Sequence, residues 1–327
     1  MQTITVIGAT GNQGSGVVSA LLECPDFAVR AVSTNPSGPR AQALLARHLE
    51  HIDTGRLVLV KGNLDDPGSI EAALEDAHGC FAVGTYQIGE KGEESGEVRQ
   101  GKTLVDALKS VGTKHFVYSS LPSVSKLSSG KLTHAVHYDS KAAVAEYALK
   151  QLPAVTLLIA GAFYSDLAWS VYARREEDGI VCFCMPLKPE TKLQLVDERF
   201  DVGNFAAAVF TAGPSATAGK TYPIMAPGLT SAELAQEYHA ATGEKVKVEP
   251  LTIEEAVKQG GIVGKVDFSK AFSDMFEYLD TVKPGTTAYG AMSTDDDESY
   301  VDLGIKASTL RDFLERTGFR VPFPREA

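Results

Sequence analysis

Seven residues near the amino end, Gly8-Ala9-Thr10-Gly11-Asn12-Gln13-Gly14, set glycines three apart. Before them lies an apolar run, Thr3 to Ile7, and after them a stretch that puts Val17, Val18, Leu21 and Leu22 on one helical stripe. Glycines at this spacing are weak evidence alone. Between a buried strand and an amphipathic helix they permit a tight turn and a close backbone approach by a pyrophosphate. The helix start adds unpaired N–H groups and the positive end of its dipole. The chemistry expected is binding of a nicotinamide dinucleotide, with Gly8, Thr10, Gly11, Asn12, Gln13 and Gly14 around its phosphates. The end of the second strand carries the choice of cofactor, because an acid there suits a free ribose and a cation with hydroxyls suits a 2′-phosphate. No Asp or Glu stands between Phe27 and Leu49; the strand ends in Ser33-Thr34-Asn35, with Arg40 beyond. NADP(H) is therefore favoured over NAD(H), and Asn63-Leu64-Asp65 is placed at the adenine edge, with simple loop polarity the alternative for Asp65. Open α/β sheets bind ligands at the carboxyl ends of their strands. That rule adds Gly84, Thr85 and Tyr86, then Ser119 and Ser120, then Gly161, Ala162, Phe163 and Tyr164.

These residues need a scaffold, and the pattern of the chain supplies one. Strands are expected at Thr3–Ile7, Phe27–Val32, Leu57–Val60, Cys80–Val83, His115–Tyr118 and Val155–Ile159, with helical patterns between them. Alternation of this kind yields a Rossmann-type, doubly wound parallel sheet covered on both faces. Asp66-Pro67 reads as a helix cap followed by proline in the first turn. Beyond Gly161 the apolar pieces shorten and proline becomes frequent, as at Pro186, Pro189, Pro214, Pro223 and Pro227. The expected division is a dinucleotide-binding domain over residues 1–160 and a smaller α/β C-terminal lobe over 161–327, partly interleaved with it. Asp201 is expected to cap a helix from Asn204 to Thr211.

Composition narrows the function. The chain has 327 residues, is 44% hydrophobic and carries a net charge of −11, with no clustered Lys and Arg. That disfavours direct nucleic-acid or anionic-membrane binding. No run approaches the ~20 apolar residues of a membrane span, and the N-terminus lacks a basic region ahead of its short apolar stretch. Cys24, Cys80, Cys182 and Cys184 lack disulfide-scaffold or zinc-clip spacing, so a reducing, cytoplasmic setting is expected. The seven histidines show no metal-binding spacing, so no metal is expected, and the acidic run Asp295-Asp296-Asp297-Glu298 reads as a solvated loop.

The glycine turn resembles that of the atypical or extended short-chain dehydrogenases. More narrowly, Gly8 to Gly14, Val32-Ser33-Thr34-Asn35-Pro36, Gly62-Asn63-Leu64-Asp65-Asp66, Tyr118-Ser119-Ser120-Leu121-Pro122 and Asp201-Val202-Gly203 resemble the NmrA-like family. That family includes redox-sensing regulators and reductases, and the resemblance implies a dinucleotide in the cleft between a Rossmann domain and a small lobe. Where a catalytic Tyr-x-x-x-Lys would fall, the chain reads His137-Tyr138-Asp139-Ser140-Lys141. The resemblance implies that Lys141 binds the nicotinamide ribose. The phenol expected one turn earlier is replaced by His137, which titrates near neutrality and is the candidate proton donor. Tyr138 lies about 100° further round the helix, and joins Ser120 among the remaining catalytic candidates. Two functions stay open: an NADPH-dependent reductase of a small carbonyl, enone or similar substrate, and a non-catalytic dinucleotide sensor with a protein partner.

Overall fold

The computed structural model describes residues 1–84, 95–260, 262–263, 266–283, 286–287 and 297–323. Thr85 and Tyr86 lie outside the described residues, as do Asp295 and Asp296. The chain opens with β1 (Gln2–Ile7), α1 (Asn12–Glu23), β2 (Phe27–Ser33), two short helices α2 (Pro39–Ala46) and α3 (Leu49–Asp53), and β3 (Leu57–Lys61). It continues through α4 (Pro67–Leu74), β4 (Gly79–Val83), α5 (Gly96–Val111), β5 (His115–Ser120), α6 (Val124–Leu127), α7 (Val136–Gln151) and β6 (Val155–Ala160). The signals that end these helices are local. Asp66 accepts from the Ser69 N–H at the start of α4, with Pro67 in its first turn. Ser95 caps α5, which ends at Gly112 with φ 71°.

Past β6 the chain alternates between lobe and sheet. β7 (Ala162–Phe163), a 3₁₀ turn at Tyr164–Ala168, β8 (Ala173–Arg175) and β9 (Val181–Phe183) enter the lobe. β10 (Leu195–Val196), α8 (Phe200–Ala212), α9 (Pro214–Thr217) and β11 (Thr221–Ile224) return to the main body. The lobe resumes with α10 (Ser231–Thr242), β12 (Val246–Val248), α11 (Ile253–Gly260), β13 (Ile262–Val263), β14 (Val266–Asp267) and α12 (Ser269–Leu279). α13 (Ser299–Leu303) returns to pack on α8 and β11, and α14 (Leu310–Thr317) closes the lobe.

The main sheet has seven strands in the order β11-β6-β5-β4-β1-β2-β3, and every pair in it is parallel. Residues alternate between its faces. Ile4, Val6, Phe81, Val117 and Leu158 pack with α1 and α8. Cys80, Ala82, Phe116 and Tyr118 pack with α4, α5 and α7. This is the doubly wound α/β arrangement. A separate core of Tyr164, Phe183, Tyr238, Phe276 and Phe313 holds the lobe.

Two expectations change. The proline-punctuated segment around Pro223 forms a seventh strand, β11; it accepts Pro223 because it pairs only with β6, at the sheet edge, where a missing N–H costs no ladder bond. Asp201 is not the cap of α8. The helix begins at Phe200, and Asp197 accepts from the N–H groups of Arg199 at 3.2 Å and Phe200 at 3.0 Å. Asp201, one residue into the helix, instead accepts from the N–H and hydroxyl of Ser308 at 3.0 and 2.7 Å. Among the described residues no helix is long and apolar enough to cross a membrane.

Candidate functional site

The glycine-rich turn has the geometry of an anion seat. Gly8 has φ +78°, a conformation that L side chains rarely adopt, and its carbonyl accepts the Gly11 N–H at 2.9 Å. A Cβ on Gly14 would stand 2.1 Å from that carbonyl oxygen, so the turn closes only without one. Gly11 precedes α1 and supplies no side-chain cap. The first-turn N–H groups of Asn12, Gln13 and Gly14 are thus left for a ligand or solvent. The Gln13 Oε1 is buried and has no hydrogen-bond partner among the described residues. This cradle fits a dinucleotide pyrophosphate. Asn12 is occupied differently from the expectation: its amide donates to Glu198 at 3.2 Å and accepts from Arg199 at 3.4 Å.

At the far end of the sheet, Thr34, Asn35 and Arg40 are exposed, the last in the first turn of α2. The Ser33 hydroxyl accepts the Asn35 N–H at 3.1 Å, which shapes the strand exit. Asn63 and Leu64 follow β3, where Asn63 accepts the Asp65 N–H. Asp65 itself is held by Arg99 and Gln100 at 2.8 and 3.0 Å.

Along the same carboxyl edge of the sheet, nearer its centre, a second group gathers around Lys141. Its ammonium lies 2.5 Å from Glu97 of α5, a carboxylate that is almost fully buried. Gly84 leaves the room for this pair, because a Cβ there would come within 2.4 Å of the Glu97 Oε1. The second Glu97 oxygen and the Tyr118 hydroxyl are buried without hydrogen-bond partners among the described residues. Burial and the neighbouring Glu97 push the Tyr118 phenol far above its usual range. Ser119 is buried beside Tyr118, and the Ser120 hydroxyl donates to the Leu121 and Lys141 carbonyls at 3.3 Å. Ser120 also lines an apolar groove of about 370 Å³ with Ala142, Ala145 and Leu149 of α7.

His137 lies one turn before Lys141, and burial together with the Lys141 charge pushes its pKa down to about 3. The imidazole is therefore neutral at physiological pH, unlike the near-neutral titration expected for it. Tyr138 turns away into the lobe core, 3% exposed, with its ring 6.2 Å from that of Tyr278. Tyr164 does the same: it stacks on Phe313 and donates to the Ser308 carbonyl.

Beyond β6 the backbone is already committed. Gly161 passes so close to β10 that a Cβ would stand 2.6 Å from the Gln194 carbonyl oxygen, which also accepts the Ala162 N–H at 3.0 Å. Phe163 gives its N–H to Asp166 at 3.3 Å. Burial raises the Asp166 carboxyl to about 7, against the Phe163 hydrogen bond and with help from Glu198. Glu198 is raised as well, chiefly by burial, and accepts from Ser165 at 2.8 Å. Glu97, Asp166, Glu198 and Arg199 were not singled out in the sequence. No local motif marks them, and their partners lie up to 187 residues away. Elsewhere Glu176, Cys182 and Glu249 bring ligand atoms within 4.8 Å of one another, but Arg174 and Lys247 already pair with both carboxylates.

The family model that describes the NmrA-like family matches residues 1–314. The chain belongs to the NmrA-like family. One relative is the NmrA-like family domain-containing oxidoreductase FrzB of Cladobotryum sp, 28% identical over 264 residues that span 76% of each protein. The crystal structure of NmrA, a negative transcriptional regulator, superposes with a TM-score of 0.75 at 20% identity, covering 97% of this chain and 95% of that one. The NADP(H)-bound triphenylmethane reductase of Citrobacter sp. gives a TM-score of 0.70 at 18% identity, covering 96% of this NmrA-like chain and 99% of its own. At these identities the structures show a shared fold.

Proposed function

We propose that this chain is an intracellular NADP(H)-dependent reductase of a small carbonyl, enone or related unsaturated substrate. The observation that carries the reading is that two features stand at the carboxyl ends of neighbouring parallel strands, β1 and β4. An uncapped helix start on the glycine turn suits the pyrophosphate, and a partly buried Lys141, ion-paired with buried Glu97, stands at the carboxyl ends of the central strands. The family's oxidoreductases and the NADP(H)-bound neighbour point the same way. When bound, the dinucleotide supplies the hydride. The chain's own residues then have three tasks. Lys141, held by Glu97, meets the nicotinamide ribose. Exposed Thr34, Asn35 and Arg40 meet the 2′-phosphate. A proton reaches the substrate from Asp166, which titrates at about 7, rather than from His137, which stays neutral. A group whose pKa sits near the working pH is the better acid.

The test is NADPH oxidation against enones, aldehydes, quinones and imines. Turnover with NADPH at about tenfold or greater preference over NADH is expected, a difference of about 1.4 kcal/mol. Asp166→Asn should lower kcat by roughly 10² to 10⁴ and remove a limb near pH 7 from the rate profile, with His137→Ala much milder. A reversed order returns the donor role to His137. If nothing is reduced while binding to a protein partner responds to cofactor, the chain is a sensor.

A further inference from the structure

The glycine-rich turn carries no cation of its own: residues 8–15 contain neither Lys nor Arg. The segment lying over it does. Asp197 to Phe200 leads into α8, and its main chain rests on α1 so closely that a Cβ on Gly16 would stand 1.8 Å from the Arg199 carbonyl oxygen. From this anchored backbone the exposed Arg199 side chain reaches the Asn12 Oδ1 at 3.4 Å, at the first residue of α1. The Asn12 amide cannot turn over, because its nitrogen is spent on Glu198, which also takes the Ser165 hydroxyl. The neighbouring acid Asp197 is claimed by Arg316 at 2.7 Å and by the cap of α8. Among the described residues no carboxylate pairs with the Arg199 guanidinium within 4.0 Å.

We propose that Arg199 is a ligand of the cofactor's pyrophosphate, completing the anion seat from the second half of the chain. The inference rests on the dinucleotide reading above. A guanidinium beside a helix start combines charge-assisted hydrogen bonds with the field of the dipole. Glu198 and Asn12 serve as its positioning residues, fixing the oxygen on which the guanidinium rests before any ligand arrives.

The experiment is calorimetric titration of NADPH, NADH, ADP-ribose and adenosine 2′-phosphate into the full chain and its Arg199→Ala, Arg199→Glu and Arg199→Lys variants. Arg199→Ala should weaken the first three ligands by a common factor of about ten. Arg199→Glu should weaken them further, Arg199→Lys should restore most of the loss, and the effect should shrink as salt rises. Adenosine 2′-phosphate, which lacks a pyrophosphate, should be unaffected. Unchanged affinities in Arg199→Glu, with a wild type that binds, would overturn the inference alone. So would a loss confined to NADPH, which assigns Arg199 to the 2′-phosphate, or a fall in melting temperature in all three variants, which assigns it a structural role. A wild type that binds no dinucleotide removes the underlying reading and this inference together.

Discussion

Gly11 and Gly14 look equivalent in the motif but do different work. Gly11 has φ −85° and ψ 177°, open to any residue, and a Cβ there would meet the Gly8 oxygen at 3.3 Å, a tight contact that a shift of a few tenths of an ångström relieves. Gly14 allows no such relief, with 2.1 Å to the same atom. Gly11→Ala should therefore keep a near-native melting temperature while weakening NADPH, because the methyl stands beside the phosphate seat. Gly14→Ala should cost at least about 2 kcal/mol, since backbone must move. Melting curves with parallel cofactor titration check both, and equal stability losses would show that the two glycines are interchangeable. The turn was legible because its requirement is local: strand, glycines and helix are consecutive. Glu97 was not, since it meets Lys141 across 44 residues of separation, and nothing near Glu97 announces the pairing. His137 was visible as a residue but not as a neutral one, because its burial and the Lys141 charge belong to the folded cleft.

Among the elements, the crossing of α1 and α8 decides how the site is assembled. Gly16 and Gly203 face each other there, and a Cβ on Gly203 would lie 2.6 Å from the Gly16 carbonyl oxygen. Close approach of the helices is what brings the Arg199 segment to the phosphate turn. Gly203→Ala should destabilise by about 1 to 3 kcal/mol through overpacking and, by pushing the helices apart, weaken NADPH as well. Urea unfolding and titration on the same sample test this; a stability loss with unchanged cofactor affinity would uncouple the crossing from the site. Five of the inner strands and their helices were readable from periodicity, as was β3. β11 was hidden because its Pro223 argues against a strand everywhere except at a sheet edge, and edge position is a property of topology. The start of α8 was misplaced for a related reason: Asp201 resembles a cap in sequence, but Ser308 claims its carboxylate from 107 residues away.

At the scale of the molecule, buried ionisable groups pull stability in opposite directions with pH. His137 folds to a pKa of about 3, below its unfolded value of 6.5. The native state then binds fewer protons, so this contribution is complete above pH 6.5 and lost as pH falls toward 3. Asp166 folds to about 7 from 3.8, so its contribution is lost as pH rises across that interval. The trends oppose between about pH 4 and 6.5. His137→Gln should make stability fall more steeply with rising pH in that window, and Asp166→Asn should make it climb instead. Urea midpoints at half-unit pH steps read the slopes, and identical slopes in both variants would remove the two groups from the linkage. The Asp201 carboxylate, meanwhile, is satisfied by Ser308, and Arg316 of α14 binds both Ser308 and Asp197. On a ribosome the first strand, the glycine turn and α1 emerge almost three hundred residues before α14. The turn is thus made long before its counterparts exist, and the segment of Arg199, tied through Asp197 to Arg316 of α14, gains its last support only when synthesis is nearly over.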